Sequence, residues 1–248
     1  MKEITQKWII FIFLMCFILF VANIRNVKAD IYLLGDSWLA NTYNPSANYH
    51  IGFHTGEQVH NYAVNSMPSK TLANEIETYG VQPGDVAIID IGLPDFFNRI
   101  SQMEVRMNMY RVIDYLSSNN VKIVISCPAE AANLLDLNAK IADKTLPPAW
   151  RLCQKLHDRN PYFVNIVDLQ SKLMAIQAFN HAENAVHLNE LGYHVFNIGL
   201  ALEVNRMKGT CNLIQQAKEL FKQYPSMTHE QQCVAGQLME GYWVSFIR

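Results

Sequence analysis

A serine that could act as a nucleophile follows an apolar run near the start of the chain. Residues 31–34 form that run, and Gly35-Asp36-Ser37 comes directly after it. A buried strand that ends at a glycine turn presents the next side chains at its carboxyl end, where open α/β sheets bind ligands. If Ser37 also began a helix, its backbone N–H would point outward and could hold an oxyanion. An N-cap serine in an ordinary turn would give the same tripeptide, so both interpretations stand at this point.

A histidine that could serve as the base lies much later in the chain. His187 falls in a predicted loop between the fifth apolar run and the last helical pattern. Such a loop can reach the same sheet edge as Ser37, which is the arrangement that a serine–histidine pair requires. A lone histidine is more often a helix cap or a satisfied surface group, and the residues alone leave that alternative open.

Five short apolar runs alternate with helical patterns, which predicts a parallel sheet flanked by helices. The predicted strands are residues 31–34, 59–64, 86–91, 122–126 and 163–168. The predicted helices are residues 103–119, which carry an apolar stripe, 148–156, and 189–207, with Asn189 as its cap. The run at 86–91 is nearly continuous, as expected for a strand that is covered on both faces. Right-handed crossovers would bring the carboxyl ends of all five strands to one edge of the sheet.

The two ends of the chain predict an export signal and a helical extension. Residues 1–29 combine the basic Lys2 and Lys7, an apolar stretch over 8–22 and a small residue, Ala29, at the cleavage site. We therefore expect an exported protein, periplasmic or secreted, whose mature chain has no stable membrane span. An uncleaved membrane anchor is the alternative. Residues 30–207 would form the α/β domain, and residues 208–248 a helical hairpin packed on it.

The composition excludes some partners and leaves the cysteines open. A formal net charge of −2 and 17% charged residues give no basic field, so nucleic acid is not a predicted partner. No C-x-x-C motif or Cys/His cluster is present, so neither a metal nor a cofactor is predicted. Oxidation after export would allow three full pairings among the four cysteines of the mature chain, Cys127, Cys153, Cys211 and Cys233.

Other conspicuous side chains have plainer predicted roles. Asp36 is expected to cap the turn and not to exchange protons. The segment between the first two strands is predicted to be a surface loop that carries three histidines without companion ligands. Its aromatic residues could line a pocket above Ser37 or could pack in the core. The histidines are His50, His54 and His60, and the aromatic residues are Tyr43, Tyr49 and Phe53.

The two ends of the α/β region resemble the GDSL, or SGNH, hydrolase family. The resemblance rests on Gly35-Asp36-Ser37, on His187-Leu-Asn189 and on Gly192-Tyr193, and it covers roughly residues 30–206. The family contains esterases, lipases, thioesterases and carbohydrate deacetylases on a flavodoxin-like three-layer α/β/α sandwich with a five-stranded parallel sheet. The resemblance implies that Ser37 is the nucleophile, that His187 is the general base, and that the substrate is a small-molecule, lipid or glycan ester.

Two positions depart from the family pattern in the direction of lower activity. The family has aspartate three residues before the histidine, and Asn184 stands there. In trypsin an equivalent Asp→Asn change lowers kcat about 10⁴-fold. The family motif Gly-x-Asn-Asp aligns with Gly92-Leu-Pro-Asp95, where Pro94 supplies neither an amide side chain nor an N–H. Loss of one oxyanion donor typically costs about 10²–10³ in rate.

Other groups could still hold the oxyanion. The family's glycine donor aligns with Ser66, which keeps its N–H, and Asn65 could lend a side-chain amide. The resemblance therefore favours an exported serine ester hydrolase that uses Ser37 and His187. Two alternatives stay open: a binding or scaffold protein of the cell envelope that has lost catalysis, and an O-acyltransferase that acts on envelope glycans. The substrate and the oligomeric state are not predicted.

Overall fold

The structure of the chain, a computed structural model, describes residues 29–90, 92–127, 149–170, 173, 180–181 and 184–209. The predicted export signal over residues 1–29 and the predicted helical extension over residues 208–248 therefore lie almost entirely outside the described residues. Within the described ranges, no helix has both the length and the apolar character needed to cross a membrane.

Five parallel strands form one sheet, as predicted, and their order in the sheet is β2-β1-β3-β4-β5. The inner strands β1 and β3 are buried along their whole length, whereas the edge strand β2 is half-buried. This burial agrees with the continuous apolar runs of the inner strands. The strands are β1 (Ile31–Gly35), β2 (Val59–Asn61), β3 (Val86–Asp90), β4 (Lys122–Ser126) and β5 (Val164–Val167).

The helices cover both faces of this sheet, which confirms the three-layer α/β/α sandwich. Ile31 and Leu33 face one buried cluster, with α1 and α6, while Tyr32 and Leu34 face the other, with α2, α4 and α5. Successive side chains of a strand point to opposite faces, so each strand contributes to both clusters. The helices are α1 (Ala47–Thr55), α2 (Ser69–Glu75), α3 (Leu93–Phe97), α4 (Gln102–Ser118), α5 (Ala149–Arg159) and α6 (Glu190–Met207), and a 3-10 helix (Ile76–Tyr79) follows α2.

Local sequence signals account for the two long helices. The predicted apolar stripe of α4 is buried, from Val105 and Met109 to Leu116. Asn189 caps α6, as predicted, because its Oδ1 accepts the N–H of Gly192 at 2.8 Å. This cap fixes where the chain leaves His187 and enters α6.

His187 lies in a strand and not in the predicted loop. An antiparallel hairpin joins β6 (Asn180–His181) to β7 (Asn184–Leu188), and His187 is the fourth residue of β7. The sequence could not predict this pairing, because Asn180-His181 is too short and too polar to be recognised as a strand. The hairpin places the histidine one residue before Leu188, which belongs to the buried core.

A disulfide joins Cys127, directly after β4, to Cys153 in α5. Both cysteines are buried, and the bond selects one of the pairings that the sequence left open. Cys211 and Cys233 lie outside the described residues.

Removing this disulfide is expected to lower the free energy of unfolding by about 3 kcal/mol. The bond closes a loop with a sequence separation of 26 residues, and loop-closure entropy sets this magnitude. Urea denaturation of a variant that carries both Cys127→Ala and Cys153→Ala measures the loss, and a reductant should cause a comparable loss in the natural chain. A double variant as stable as the natural chain would contradict the pairing.

Candidate active site

The turn that carries Ser37 is tied to the ends of two strands. The backbone N–H of Asp36 donates to the carbonyl oxygen of Asp90, at the end of β3, over 2.9 Å. The N–H groups of Leu39 and Ala40 donate to the Asp36 carbonyl, at 3.2 and 3.0 Å. The chain therefore forms a hydrogen-bonded turn over residues 36–40, not a helix that begins at Ser37.

Asp36 caps this turn, as predicted, because its Oδ1 accepts the N–H of Trp38 at 3.3 Å. Trp38 and Leu39 are fully buried and anchor the turn in the core. Ser37 itself is 7% exposed. Ser37 thus lies at the carboxyl end of β1, as predicted. Its turn is hydrogen bonded to the end of β3 and anchored in the core by the two residues that follow.

The predicted oxyanion residues Asn65 and Ser66 lie beside this turn. The N–H of Val64 donates to the carbonyl of Gly35 at 2.9 Å, which carries the chain after β2 along the end of β1. Ser66 has φ 62°, in the left-handed region that glycine adopts without strain. This is the position where the family resemblance places a glycine. Asn65 and Ser66 are both exposed.

The segment with Pro94 has a structural role. Pro94 is buried in the first turn of α3, where its missing N–H costs no helical hydrogen bond. The neighbouring Asp95 accepts the N–H of Ser69 at 2.9 Å and its hydroxyl at 2.8 Å, so it joins α3 to the start of α2. Burial raises the pKa of Asp95, and the hydrogen bonds from Ser69 oppose that rise.

His187 forms part of the wall of a cavity of about 440 Å³ and is 8% exposed. Its ring stacks on the ring of Tyr43, with centroids 3.6 Å apart and planes 9° from parallel. Tyr193 lines the same cavity and meets Trp38 edge-on at a centroid distance of 5.9 Å. The other lining residues are Thr42, Pro45, Ser46, Leu188 and Glu190.

Tyr193 therefore connects the wall that holds His187 to the residue that follows Ser37. Ser37 is not among the described residues that line the cavity. Asn184 begins β7 and pairs with His181 across the hairpin, and its role beside His187 stays a prediction.

The aromatic residues between β1 and β2 lie in different environments. Tyr43 packs against the core, as one predicted alternative had it, and it also lines the cavity that holds His187. Tyr49 and Phe53 do neither, because they are 62% and 50% exposed on α1. The sequence missed the stacking of Tyr43 on His187, since nothing in either segment indicates that the two rings meet.

The prediction of a surface loop is wrong for all three histidines, because His50 and His54 lie on α1 and His60 lies on β2. α1 packs against α6, and this packing buries His50 against His194, with His50 Nε2 and His194 Nδ1 2.9 Å apart. His60 lies on β2 and contacts Asp30 at 2.9 Å. In the part of the chain that the structure describes, no group of three or more histidine, cysteine or acidic side chains is arranged to hold a metal ion.

Protonation of His194 is expected to oppose folding in acid. Burial lowers the pKa of His194 to about 3, and His50 and His54 add to the shift. The unfolded chain binds this proton near the usual pKa of about 6.5, so stability falls as the pH drops from about 6.5 to about 3. The expected slope is up to about 1.4 kcal/mol per pH unit.

A comparison with His194→Asn isolates this contribution from that of the buried aspartates, which act in the opposite direction. Urea midpoints of the two chains should differ by a constant above pH 7, and the natural chain should lose stability relative to the variant below that pH. Parallel curves down to about pH 4 would contradict a buried neutral His194.

Comparisons with known proteins give matches at the level of structure. No protein-family model matches the sequence, and no curated protein matches it. A lipolytic protein of the G-D-S-L family from Desulfitobacterium hafniense superposes with a TM-score of 0.57 at 15% identity, over 70% of this chain and 98% of that chain. The chain has the GDSL hydrolase fold.

Two esterases share this GDSL fold with the chain. An acetyl xylan esterase matches with a TM-score of 0.55 and 16% identity, over 69% of this chain and 97% of that chain. A psychrotrophic esterase from Pseudoalteromonas, in a structure inhibited by monoethylphosphonate, matches with a TM-score of 0.56 and 10% identity, over 73% of this chain and all of that chain. The five-stranded parallel sheet and its flanking helices belong to this GDSL fold.

Proposed function

We propose that the protein is an exported serine ester hydrolase. Ser37 attacks the acyl carbonyl and passes its proton to His187, which delivers it to the leaving alcohol. Water then attacks the acyl-enzyme, gives a proton to His187 and releases the acid, while Ser37 recovers its proton. The amides of Ser37 and Ser66, with Asn65, hold the negative oxygen.

One observation carries this proposal. The Gly35-Asp36-Ser37 turn stands at the carboxyl end of β1 in a fold shared with esterases, and Tyr193 links the cavity that holds His187 to Trp38, beside the serine. One structural neighbour is an acetyl xylan esterase and another is an esterase inhibited by monoethylphosphonate, which favours ester chemistry. The Cys127–Cys153 disulfide fits an oxidising compartment and so supports export.

The stacked Tyr43 gives His187 partial compensation for the absent aspartate. An aromatic face against an imidazolium contributes about 0.5–2 kcal/mol. Loss of the acid lowers kcat roughly 10⁴-fold, which corresponds to a larger free energy than the stack supplies. We therefore expect a slow hydrolase.

The test is covalent labelling of the full chain with a fluorophosphonate, together with hydrolysis of p-nitrophenyl acetate. Both signals should disappear in Ser37→Ala. They should persist in Ser118→Ala, because Ser118 is exposed at the end of α4 and hydrogen bonds only to the Tyr115 carbonyl among the described residues.

Two outcomes would replace the proposal. Folded natural chain that takes no label would favour the binding or scaffold protein. Labelled protein that passes its acyl group to a glycan acceptor faster than to water would be an O-acyltransferase.

A further inference from the structure

Two aspartates meet beneath the Ser37 turn in a place that water does not reach. Asp36 and Asp90 have no exposed surface. Gly35 pairs with Asp90 across β1 and β3, and this register sets the two carboxyl groups side by side. The carboxyl groups of Asp36 and Asp90 lie close enough for each to act on the pKa of the other.

Each carboxyl also has a donor on its other oxygen. Asp36 Oδ1 accepts the N–H of Trp38. Asp90 Oδ1 accepts Gln170 Nε2 at 2.5 Å, and the same nitrogen lies 2.9 Å from Ser126 Oγ. The remaining oxygens, Asp36 Oδ2 and Asp90 Oδ2, are buried and receive no donor from any other described group.

A hydrogen bond between two carboxyl groups requires a proton on one of them, since two carboxylates have none to share. No lysine or arginine of the described residues pairs with either group. Two buried, unpaired negative charges in contact would repel each other strongly, and such pairs hold one proton between them.

The surrounding groups make ionisation of the pair harder. Asp95 on α3 acts on Asp36 as a like charge, and the Tyr193 hydroxyl on α6 interacts with both carboxyls. Burial raises the pKa of Asp36 well above its usual range, and the charge of Asp90 adds to that rise. Burial raises the pKa of Asp90 as well, but the hydrogen bonds from Asp36 and Gln170 oppose that rise.

We propose that Asp36 keeps its proton at neutral pH and donates it to Asp90, so that this bond holds the Ser37 turn against the end of β3. Asp36 is thus a positioning residue for the serine, and only this last statement rests on the proposed hydrolase function. The sequence interpretation, in which Asp36 only caps the turn, was incomplete because Asp90 is 54 residues away in the chain.

The first test is infrared spectroscopy of the full chain. A protonated carboxylic acid has a carbonyl stretch that is separate from the carboxylate bands. The difference spectrum between the natural chain and Asp36→Asn should contain this band at pH 7, and the band should disappear at alkaline pH. A difference spectrum without the band would overturn the proposal.

The second test is the pH dependence of stability. A carboxyl whose pKa is raised by folding binds more protons in the folded chain, so its contribution becomes less favourable as the pH rises. The urea midpoint of Asp36→Asn should therefore rise relative to that of the natural chain between about pH 4 and about pH 8. A constant difference between the two midpoints over this range would contradict a protonated Asp36.

The third test measures whether the bond positions the serine. Asparagine at 36 can still donate to Asp90 and accept from Trp38, whereas alanine at 36 can do neither. Fluorophosphonate labelling of Ser37 should therefore be slower in Asp36→Ala than in Asp36→Asn by roughly tenfold or more. Equal rates in the two variants would overturn the positioning role of Asp36.

The proposal and the hydrolase function can fail separately. If no variant takes the label, including the natural chain, the hydrolase function fails. The infrared band and the urea midpoints then still decide whether Asp36 holds the proton, because neither readout involves Ser37.

Discussion

Replacing His187 with glutamine should lower the rate of fluorophosphonate labelling at Ser37 by about 10²–10⁴-fold. Glutamine keeps a polar side chain on β7 but cannot accept the serine proton, and a general base typically contributes a factor of this size. Rate constants measured under first-order conditions at pH 7.5, roughly one unit above the usual histidine pKa, would give the ratio. Backbone amides would sustain the residual reaction.

A second histidine provides the control. His60 lies on the edge strand β2, contacts Asp30, and is not among the described residues that line the cavity with His187. His60→Gln should label at the natural rate. Equal rates in His187→Gln and the natural chain would mean that another group takes the proton, and the assignment of His187 would then be wrong.

Replacing Gly35 with alanine should destabilise the fold by about 4 kcal/mol or more. A Cβ at this position would lie 1.7 Å from the carbonyl oxygen of Asp90, and φ is 128°, where residues with a side chain are strained. The backbone of β1 and β3 would have to separate, which would break the contact that carries the Ser37 turn. Urea denaturation would detect the loss, or the variant would fail to fold.

Gly84 is the matched control for backbone strain. Its φ is 98°, but a Cβ there would have no atom within 4 Å. Gly84→Ala should therefore cost only the strain, about 1–3 kcal/mol. Similar losses in the two variants would mean that the close approach of Gly35 to Asp90 is unimportant.

Patterns along the chain were sufficient for the five parallel strands and for three of the helices, α4, α5 and α6. Buried strands appear as short apolar runs, and α4 as an apolar stripe, because burial on a strand or on one helix face repeats at fixed intervals. Asn189 was recognisable as a cap because the residues that cap a helix are local. The Gly35-Asp36-Ser37 turn could be placed at a strand end for the same reason.

Patterns failed where a contact joins distant segments. The β6–β7 hairpin was missed because its first strand is short and polar. His50 and His54 were assigned to a surface loop, and the packing of α1 on α6 instead buries His50 against His194, 144 residues away.

The sequence by itself therefore determined the parallel sheet, the three helices α4, α5 and α6, and the residue types that could react. Only the tertiary structure decided the Cys127–Cys153 pairing, the Tyr43–His187 stack and the contact of Asp36 with Asp90. The physical reason is that local patterns report which side of an element is buried, whereas the identity of the group that meets it there depends on how elements pack. For Ser37, the local turn was enough to predict its place at a strand end, whereas the packing of distant elements decides which groups surround it.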